Sequence, residues 1–113
     1  MDIESFQAFC LSLPGTEETF PFGPDTLVYK INGKVYALAG LDVFDGINLK
    51  CDPEQALELR ERYTAVEPGY HMNKKHWNTV RPGPSLPDSL IYQWIRDSYE
   101  LVKDGATKKK KKG

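Results

Sequence analysis

The sequence predicts an α+β fold in which an antiparallel sheet carries its helices on one face. Two observations lead to this prediction. Two strand-forming segments flank Asn32-Gly33, a pair that is typical of a tight hairpin turn. Two other segments, at residues 3–13 and 87–103, repeat apolar residues at the spacing of an amphipathic helix. The predicted order is α-βββ-α-ββ-α, a meander followed by a second short hairpin, which suits an antiparallel sheet with helices gathered on one face.

The N-terminal segment predicts the first helix. Apolar side chains recur on one side of residues 3–13, and a Pro-Gly pair ends the pattern. Cys10 falls on the same side, so we expect its thiol to be buried as a small apolar group. The loop that follows, residues 14–24, holds three prolines and two glycines, and we expect Phe20 and Phe22 to hold it in place.

The middle of the chain predicts a three-stranded meander. Residues 27–31 and 34–38 are rich in branched and aromatic side chains, and the Asn-Gly pair between them tolerates the two positive φ angles of a two-residue turn. A second turn is predicted at the Asp-Gly pair of 45–46, followed by a third strand over 47–51. Consecutive strands joined by such short turns pair in antiparallel order.

The second helix is predicted to begin at Pro53, directly after Asp52. An aspartate in this place accepts hydrogen bonds from the free N–H groups of the first turn, and proline fits the first helical position. The helix is predicted to run to about residue 63, and the apolar side chains that we expect it to bury are Ala56, Leu57, Leu59 and Tyr63. Two short strands are predicted after it, near residues 65–67 and 77–80.

The last helix, from Pro87 to about Lys103, has the clearest division into two sides. Its apolar side consists of Leu90, Ile91, Trp94, Ile95, Leu101 and Val102. Its charged side consists of Arg96, Asp97, Glu100 and Lys103. Ser98 lies within the apolar side, where it either bonds back to the Trp94 carbonyl or permits close packing. Gly105 is predicted to cap the C-terminus of the helix.

The charge of the chain is unevenly distributed. We predict one domain over residues 1–105, followed by a disordered lysine-rich tail over 106–113. The tail holds five of the fifteen basic side chains, so the other ten face sixteen acids and the domain carries −6, against −1 for the whole chain. The five lysines are either native or an addition, and they take no part in the fold prediction because like charges repel.

Composition places the protein among small globular domains. At 113 residues one core is expected, and no stretch approaches the roughly 18 apolar residues of a membrane span. The acidic N-terminus is not followed by a signal-like apolar run, and Cys10 and Cys51 do not form a disulfide framework. We therefore expect a cytoplasmic monomer without membrane contact.

The sequence contains no recognisable catalytic motif. A glycine-rich phosphate loop, GxSxG and HExxH are absent, and the cysteines and histidines do not have the spacing of a catalytic pair. His71 and His76 lie five residues apart in a predicted loop without a neighbouring cysteine or acid, which is not a zinc-ligand spacing. We expect no enzyme, and neither a cofactor nor a metal.

Four segments together resemble the MmcQ/YjbR family: LPGTEETFPFGPDTLVYKINGKVYAL, INLKCDPEQALELRERY, VEPGYHMNKKHWNTV and SLPDSLIYQWIRDSYELV. The resemblance covers about residues 5–103. Its most specific residues are His71, Asn73, Lys74, His76, Trp77, Ser98 and Tyr99. It implies a compact fold similar to the frataxin-like (CyaY-like), double-wing arrangement, with helices packed on an antiparallel sheet. It also implies a proposed DNA-binding role.

Residues 68–87 form a basic and aromatic segment. They contain no acid in an otherwise acidic chain, and basic groups interleaved with aromatic ones suit a phosphate backbone and stacked bases. With one lysine from a neighbouring strand, the predicted nucleic-acid interface consists of Lys50, His71, Asn73, Lys74, Lys75, His76, Trp77, Asn78 and Arg81.

Two other interpretations of this segment remain open. In the first, Trp77 anchors the core and the polar residues around it only order a long connection. In the second, the segment binds a protein, as an interaction adaptor, or an anionic small molecule. The domain charge of −6 works against non-specific affinity for DNA, because a DNA footprint is normally an excess of Lys and Arg.

Overall fold

A six-stranded antiparallel sheet organises residues 1–69 and 72–105, the part of the chain that this computed structural model describes. The elements are α1 (Ile3–Ser12), β1 (Glu17–Thr19), β2 (Thr26–Ile31), β3 (Lys34–Gly40), β4 (Ile47–Lys50), α2 (Pro53–Arg62), β5 (Val66–Pro68), β6 (Trp77–Val80) and α3 (Asp88–Lys103). The strand order is β1-β2-β3-β4-β6-β5, and the helices pack on one face. The predicted tail, 106–113, lies outside the described residues.

The first two helices begin where the sequence places them. Asp2 accepts a hydrogen bond from the Ser5 N–H at 2.8 Å, and this bond lowers the pKa of the Asp2 carboxyl. Asp52 accepts one from the Glu54 N–H at 3.2 Å, with Pro53 in the first helical position. Both aspartates satisfy donors that a helix terminus leaves without a partner.

The central hairpin has the predicted turn and one irregularity that was not predicted. Asn32 and Gly33 have φ angles of 54° and 78°, as the two-residue turn requires. Tyr29 pairs with residue 37 of β3, but residue 30 pairs with residue 35, so Tyr36 has no opposite residue in β2. This bulge aims Tyr36 at the helices, where its hydroxyl donates to the Cys10 carbonyl at 3.2 Å.

The core lies between the sheet and the three helices. Phe6 and Cys10 of α1 are completely buried, and the Phe6 ring meets the Tyr29 ring edge to face with centroids 5.5 Å apart. Burial raises the pKa of the Cys10 thiol to about 12, so the predicted buried thiol is confirmed. Trp94 of α3 is buried as predicted and meets the ring of Tyr63, the residue that ends α2.

Ser98 joins α3 to two strands. Its hydroxyl donates to the carbonyl of Tyr36 at 2.6 Å and accepts from the N–H of Lys50 at 2.9 Å. The hydroxyl therefore bonds across to the sheet rather than back to the carbonyl of Trp94. A polar residue lies in the centre of the apolar side of α3 because two backbone groups of the strands beneath it, the Tyr36 carbonyl and the Lys50 N–H, need a hydrogen-bond partner.

The first loop differs from the prediction. Residues 17–19 form the edge strand β1, paired with β2, rather than a loop throughout 14–24. Phe20 and Phe22 are exposed, so they do not hold this segment in place. Its ordering comes instead from backbone pairing and from Tyr29, whose hydroxyl donates to the Glu18 carboxylate at 2.7 Å.

Two details of the helices also differ. Leu57 of α2 is 57% exposed, since the helix turns only Ala56 fully to the sheet. The C-cap of α3 is Asp104, with a φ of −101° and its N–H bonded to the Glu100 carbonyl, so Gly105 is not the cap. Among the described residues, no helix is long and apolar enough to cross a membrane.

Candidate functional site

The predicted nucleic-acid interface is divided between the two faces of the sheet. Lys50 pairs with Trp77, and Leu49 pairs with Asn78. Because side chains alternate along a strand, Lys50 and Trp77 lie on one face while Asn78 lies on the other. The sequence segment is continuous, but the surface that it was expected to form is not.

Asn78 belongs to the contact between β6 and α2. Its side chain is 1% exposed, its Oδ1 accepts from Arg60 Nε at 2.6 Å, and its Nδ2 donates to the Ala56 carbonyl at 3.3 Å. Both ends of the amide are therefore occupied. Its burial and these two bonds therefore argue against the predicted contact of Asn78 with nucleic acid.

Arg81 is also engaged. Its guanidinium forms an ion pair with Glu67 at 3.0 Å and a longer one with Asp45 at 3.7 Å, and it donates to the Asp45 carbonyl at 3.2 Å. Two acids next to one guanidinium leave little positive potential. The region of Arg81 is therefore no extension of a basic patch.

The turn before β6 keeps the exposed part of the predicted interface. Asn73, Lys74 and Lys75 are exposed and His76 is half-buried. Asn73 Oδ1 accepts from the Lys75 N–H at 2.8 Å, and Arg60 of α2 donates to the Lys74 carbonyl. We call residues 73–76 the basic turn. The predicted His71 lies outside the described residues.

Trp77 follows the basic turn but does not offer its ring to solvent, since the residue is buried. It lies next to Gly69, where an added Cβ would come within 2.8 Å of the Trp77 Cβ. The Gly69 N–H donates to the Trp77 carbonyl at 2.8 Å. This burial favours the interpretation of Trp77 as an anchor rather than as a stacking platform.

A groove between α2 and α3 is the best-formed concave site in the described part of the chain. It has a volume of about 410 Å³. Its floor is formed by β4 and β6 through Leu49, Asn78 and Val80. Its walls are formed by Lys50, Cys51, Asp52, Gln55, Leu59, Trp94, Asp97, Glu100, Leu101 and Asp104. We call this site the α2–α3 groove.

Helical spacing explains how separate residues reach the same groove. On α3, Trp94, Asp97 and Leu101 follow one another at three and four positions, which places them along one stripe. Residues 52, 55 and 59 repeat the same spacing on and before α2. The two rows of side chains face each other across the floor formed by β4 and β6. The groove is therefore mainly apolar at its bottom and polar at its rim.

Acids dominate the charge of the α2–α3 groove. Asp52, Asp97, Glu100 and Asp104 line it, whereas Lys50 borders it from β4 with its side chain on the other face of the sheet. Besides Asp52, which accepts from the Glu54 N–H, two acids have side-chain partners: the carboxylate of Glu100 lies 3.5 Å from Lys103 Nζ, and that of Asp97 accepts from Gln93 Nε2 at 2.8 Å. Both of these contacts are on exposed side chains, where ion pairs are weak and exchange with solvent.

Cys51 contributes a neutral sulfur to the groove. Loss of solvent, and then the nearby charges of Asp52 and Asp97, raise the pKa of the Cys51 thiol to about 11. The group is therefore almost entirely protonated at neutral pH, whereas a nucleophilic cysteine needs a lowered pKa. Among the residues that the structure describes, no group of three or more His, Cys, Asp and Glu side chains is placed to hold a metal ion.

The α2–α3 groove was not predicted from the sequence. Asp97 and Glu100 were assigned to the charged side of the last helix, and Cys51 was considered by itself. The available signal was the spacing of Trp94 and Leu101 around Asp97, which puts an acid inside an apolar stripe. One helix by itself does not show which element packs opposite it. The spacing therefore predicts an acid at the edge of the apolar side of the helix, but not a groove.

Comparison with known proteins places the chain in a family. The family model described as YjbR matches residues 11–101, which is most of the chain. The chain belongs to the YjbR family. YbdF of Escherichia coli O157:H7 is 43% identical to this YjbR-family protein over 110 residues, covering 96% of this chain and 90% of the relative. YjbR of Escherichia coli K12 is 31% identical over 113 residues, covering 99% and 96%. Both relatives are described as uncharacterised proteins.

Solved structures of similar proteins share the fold of this YjbR-family protein. The crystal structure of the Deinococcus radiodurans protein DR2400 has a TM-score of 0.84 at 37% identity, covering 91% of this chain and 80% of that one. A Pseudomonas syringae crystal structure has a TM-score of 0.76 at 32% identity, covering 90% and 99%. The predicted family and the α+β class are confirmed. The likeness to the frataxin-like, double-wing arrangement stays a prediction.

Proposed function

We propose that this YjbR-family protein is a non-enzymatic binding module that receives its ligand in the α2–α3 groove. The observation that carries the proposal is a site of about 410 Å³ with a mainly apolar floor and a few polar groups at its rim. Sites of this kind hold small molecules or single side chains of a partner. The raised pKa of Cys51 supports a binding role over covalent catalysis, because its thiol is not ionised at neutral pH.

The chemistry of the rim favours a ligand with an apolar body and a positive end. An ammonium group at the rim is close to Asp97 and Asp104, and its carbon chain lies over the floor next to Trp94. An anionic small molecule would meet four acids. The groove therefore argues against the anionic-ligand alternative from the sequence.

Simple additivity predicts the affinity for a minimal probe. A six-carbon chain that buries about 120 Å² of apolar surface gains about 3 kcal/mol at about 25 cal/mol per Å². An exposed ion pair adds up to about 1 kcal/mol. The sum corresponds to a Kd of about 1 mM, so the assay requires ligand concentrations up to about 20 mM.

The test is an NMR titration of the full chain with n-hexylammonium, 1-hexanol and hexanoate. We expect hexylammonium to bind most tightly, with shifts of the backbone amides of residues 49–52 and 97–104. Asp97→Asn should weaken hexylammonium several-fold and leave hexanol unchanged, whereas the matched control Glu61→Gln, an exposed acid of α2 outside the groove, should change neither. Absence of groove shifts with all three probes would refute the proposal.

Nucleic-acid binding is the second candidate function, and the basic turn supports it. Lys74 and Lys75 are adjacent and exposed, and a hydrogen bond to Arg60 fixes the turn that carries them. Exposed lysines on a rigid turn suit phosphate contacts. The same surface is the site for the adaptor alternative, in which it contacts a protein.

A charge-matched pair of variants tests this candidate. Lys74→Glu combined with Lys75→Glu should weaken DNA binding more than tenfold at low salt and make the salt dependence shallower, because fewer counterions are released. Lys34→Glu combined with Lys103→Glu is the control, since it changes the total charge equally at exposed sites elsewhere. If both double variants lose the same affinity, binding comes from overall charge and the basic turn is not an interface.

A further inference from the structure

Most of the exposed apolar side chains gather at one end of the sheet. In the described part of the chain, six large apolar side chains are exposed: Leu11, Phe20, Phe22, Leu41, Val43 and Leu57. Four of the six belong to two loops, β1–β2 and β3–β4, and the most exposed are Phe22 at 68% and Val43 at 65%. Isolated exposed apolar residues are ordinary, but a cluster of four marks an interaction site.

Backbone contacts hold the two loops side by side. The N–H of Leu41 donates to the carbonyl of Asp25 at 2.7 Å, directly beyond the last pair of β2 with β3. In the first loop, the Gly23 N–H donates to the Phe20 carbonyl at 3.2 Å. This bond closes a four-residue turn, of which Phe22 is the third residue. We call residues 20–25 and 41–45 the loop surface.

An aromatic contact anchors the second loop from below. Phe44 is half-buried, and its ring lies 5.5 Å from the buried ring of Phe6 in α1. Val43, the residue before it, is therefore kept at the surface while its neighbour packs into the core. A rigid loop loses little entropy when its exposed side chains are covered by a partner.

The exposed charged side chains of the loop surface itself are acids. Residues 13–29 and 35–49 contain neither Lys nor Arg, whereas Asp25 and Asp42 are exposed within the loops. The loop surface is therefore apolar in its centre and acidic at its border, apart from Asp45, which is paired with Arg81.

We propose that the loop surface is a docking site for a protein segment in which apolar side chains alternate with Lys or Arg. Charge complementarity supports this partner, because basic residues at the border would meet Asp25 and Asp42. A second copy of this chain is a poor partner, since a two-fold contact would bring the same acids together. The acids also repel phosphate-rich surfaces such as nucleic acids and anionic membranes.

Three peptides test the proposal on the full chain. The probe is acetyl-Lys-Leu-Lys-Phe-Lys-Leu-Lys-amide. One control replaces every Lys by Glu, and the other replaces every apolar residue by Ser. At near-physiological salt we expect the probe to bind at least tenfold more tightly than either control, because both the charge and the apolar centre of the loop surface are needed.

Variants locate the binding. Phe22→Ser combined with Val43→Ser should weaken the probe about tenfold or more and leave the thermal midpoint unchanged, because both side chains are exposed. Leu57→Ser, a comparably exposed residue of α2, and Asp97→Asn in the α2–α3 groove should bind the probe like the wild type.

Three results would overturn the proposal. They are equal binding of the Glu peptide, an equal loss in Leu57→Ser, and no binding of the probe by the wild type at about 1 mM. A loss in Asp97→Asn without a loss in the loop variant would move the peptide site to the groove. That outcome would support the proposed function while refuting a docking site on the loops.

Discussion

Replacing Ser98 by alanine removes one oxygen atom from the centre of the fold. That oxygen donates to the Tyr36 carbonyl at 2.6 Å and accepts from the Lys50 N–H at 2.9 Å, in a residue without solvent exposure. Each hydrogen bond contributes about 0.5–1.5 kcal/mol, and a buried backbone group that loses its partner costs more. Because two backbone groups lose this partner at once, we expect the free energy of unfolding to fall by about 2–4 kcal/mol.

Urea unfolding of the full chain measures this change. With an m value of about 1.5–2 kcal/mol per M, the midpoint should fall by roughly 1–3 M. The thermal midpoint should fall by about 8–16 °C, since about 1 kcal/mol shifts a domain of this size by about 4 °C. Ser98→Ala changes the volume of the side chain only slightly. The lost stability therefore comes from the backbone groups that lose their hydrogen bonds and not from a cavity.

Ser89→Ala is the matched control, because Ser89 is exposed in the first turn of the same helix. It should change the stability by less than about 0.5 kcal/mol. If Ser98→Ala is no more destabilising than Ser89→Ala, the reasoning fails. In that case Ser98 is buried because it is small, and the two strand groups find other partners.

Three further predictions follow from other parts of the structure. Trp94→Ala should cost about 3–5 kcal/mol in urea unfolding through loss of a large buried ring, and an unchanged midpoint would contradict its place in the core. The rate of Cys51 alkylation by iodoacetamide should rise with pH towards a midpoint near 11. Asp97→Asn should lower that midpoint, because it removes a negative charge that raises the pKa of the thiol. Equal midpoints in the wild type and the variant would show that Asp97 is too far from Cys51 to affect it. Arg60→Met should speed backbone hydrogen exchange in the basic turn, because it removes the hydrogen bonds of Arg60 to Asn78 Oδ1 and to the Lys74 carbonyl. Unchanged exchange would show that other contacts hold the turn.

Local features of this protein were predictable from short stretches of sequence. The positive φ angles of the central turn depend on the Asn-Gly pair itself, and the helix starts depend on Asp2 and on Asp52 with Pro53. In each case the group that satisfies the backbone lies within three residues of the group it satisfies. Such features need no knowledge of the rest of the fold.

The candidate site was predicted less well because it depends on which face each residue takes. In β6 the alternation of side chains separates Trp77 from Asn78, although the two are adjacent in sequence. Arg81 looked available for phosphate until the fold brought Glu67 and Asp45 next to it. Among the described residues of the predicted interface, only the basic turn keeps the exposure that the sequence suggested, since no described element covers residues 73–75.

The sequence by itself determined the α+β class, the family resemblance, the central hairpin and the three helices, because these rest on periodicity and on local backbone chemistry. The tertiary structure alone decided the position of the bulge at Tyr36, the role of Ser98, the exposure of the loop surface and the existence of the α2–α3 groove. Each of these arises where elements distant in sequence meet. The free energy of such a contact depends on the side chains of both elements, whereas the residue pattern of one segment describes only one of the two.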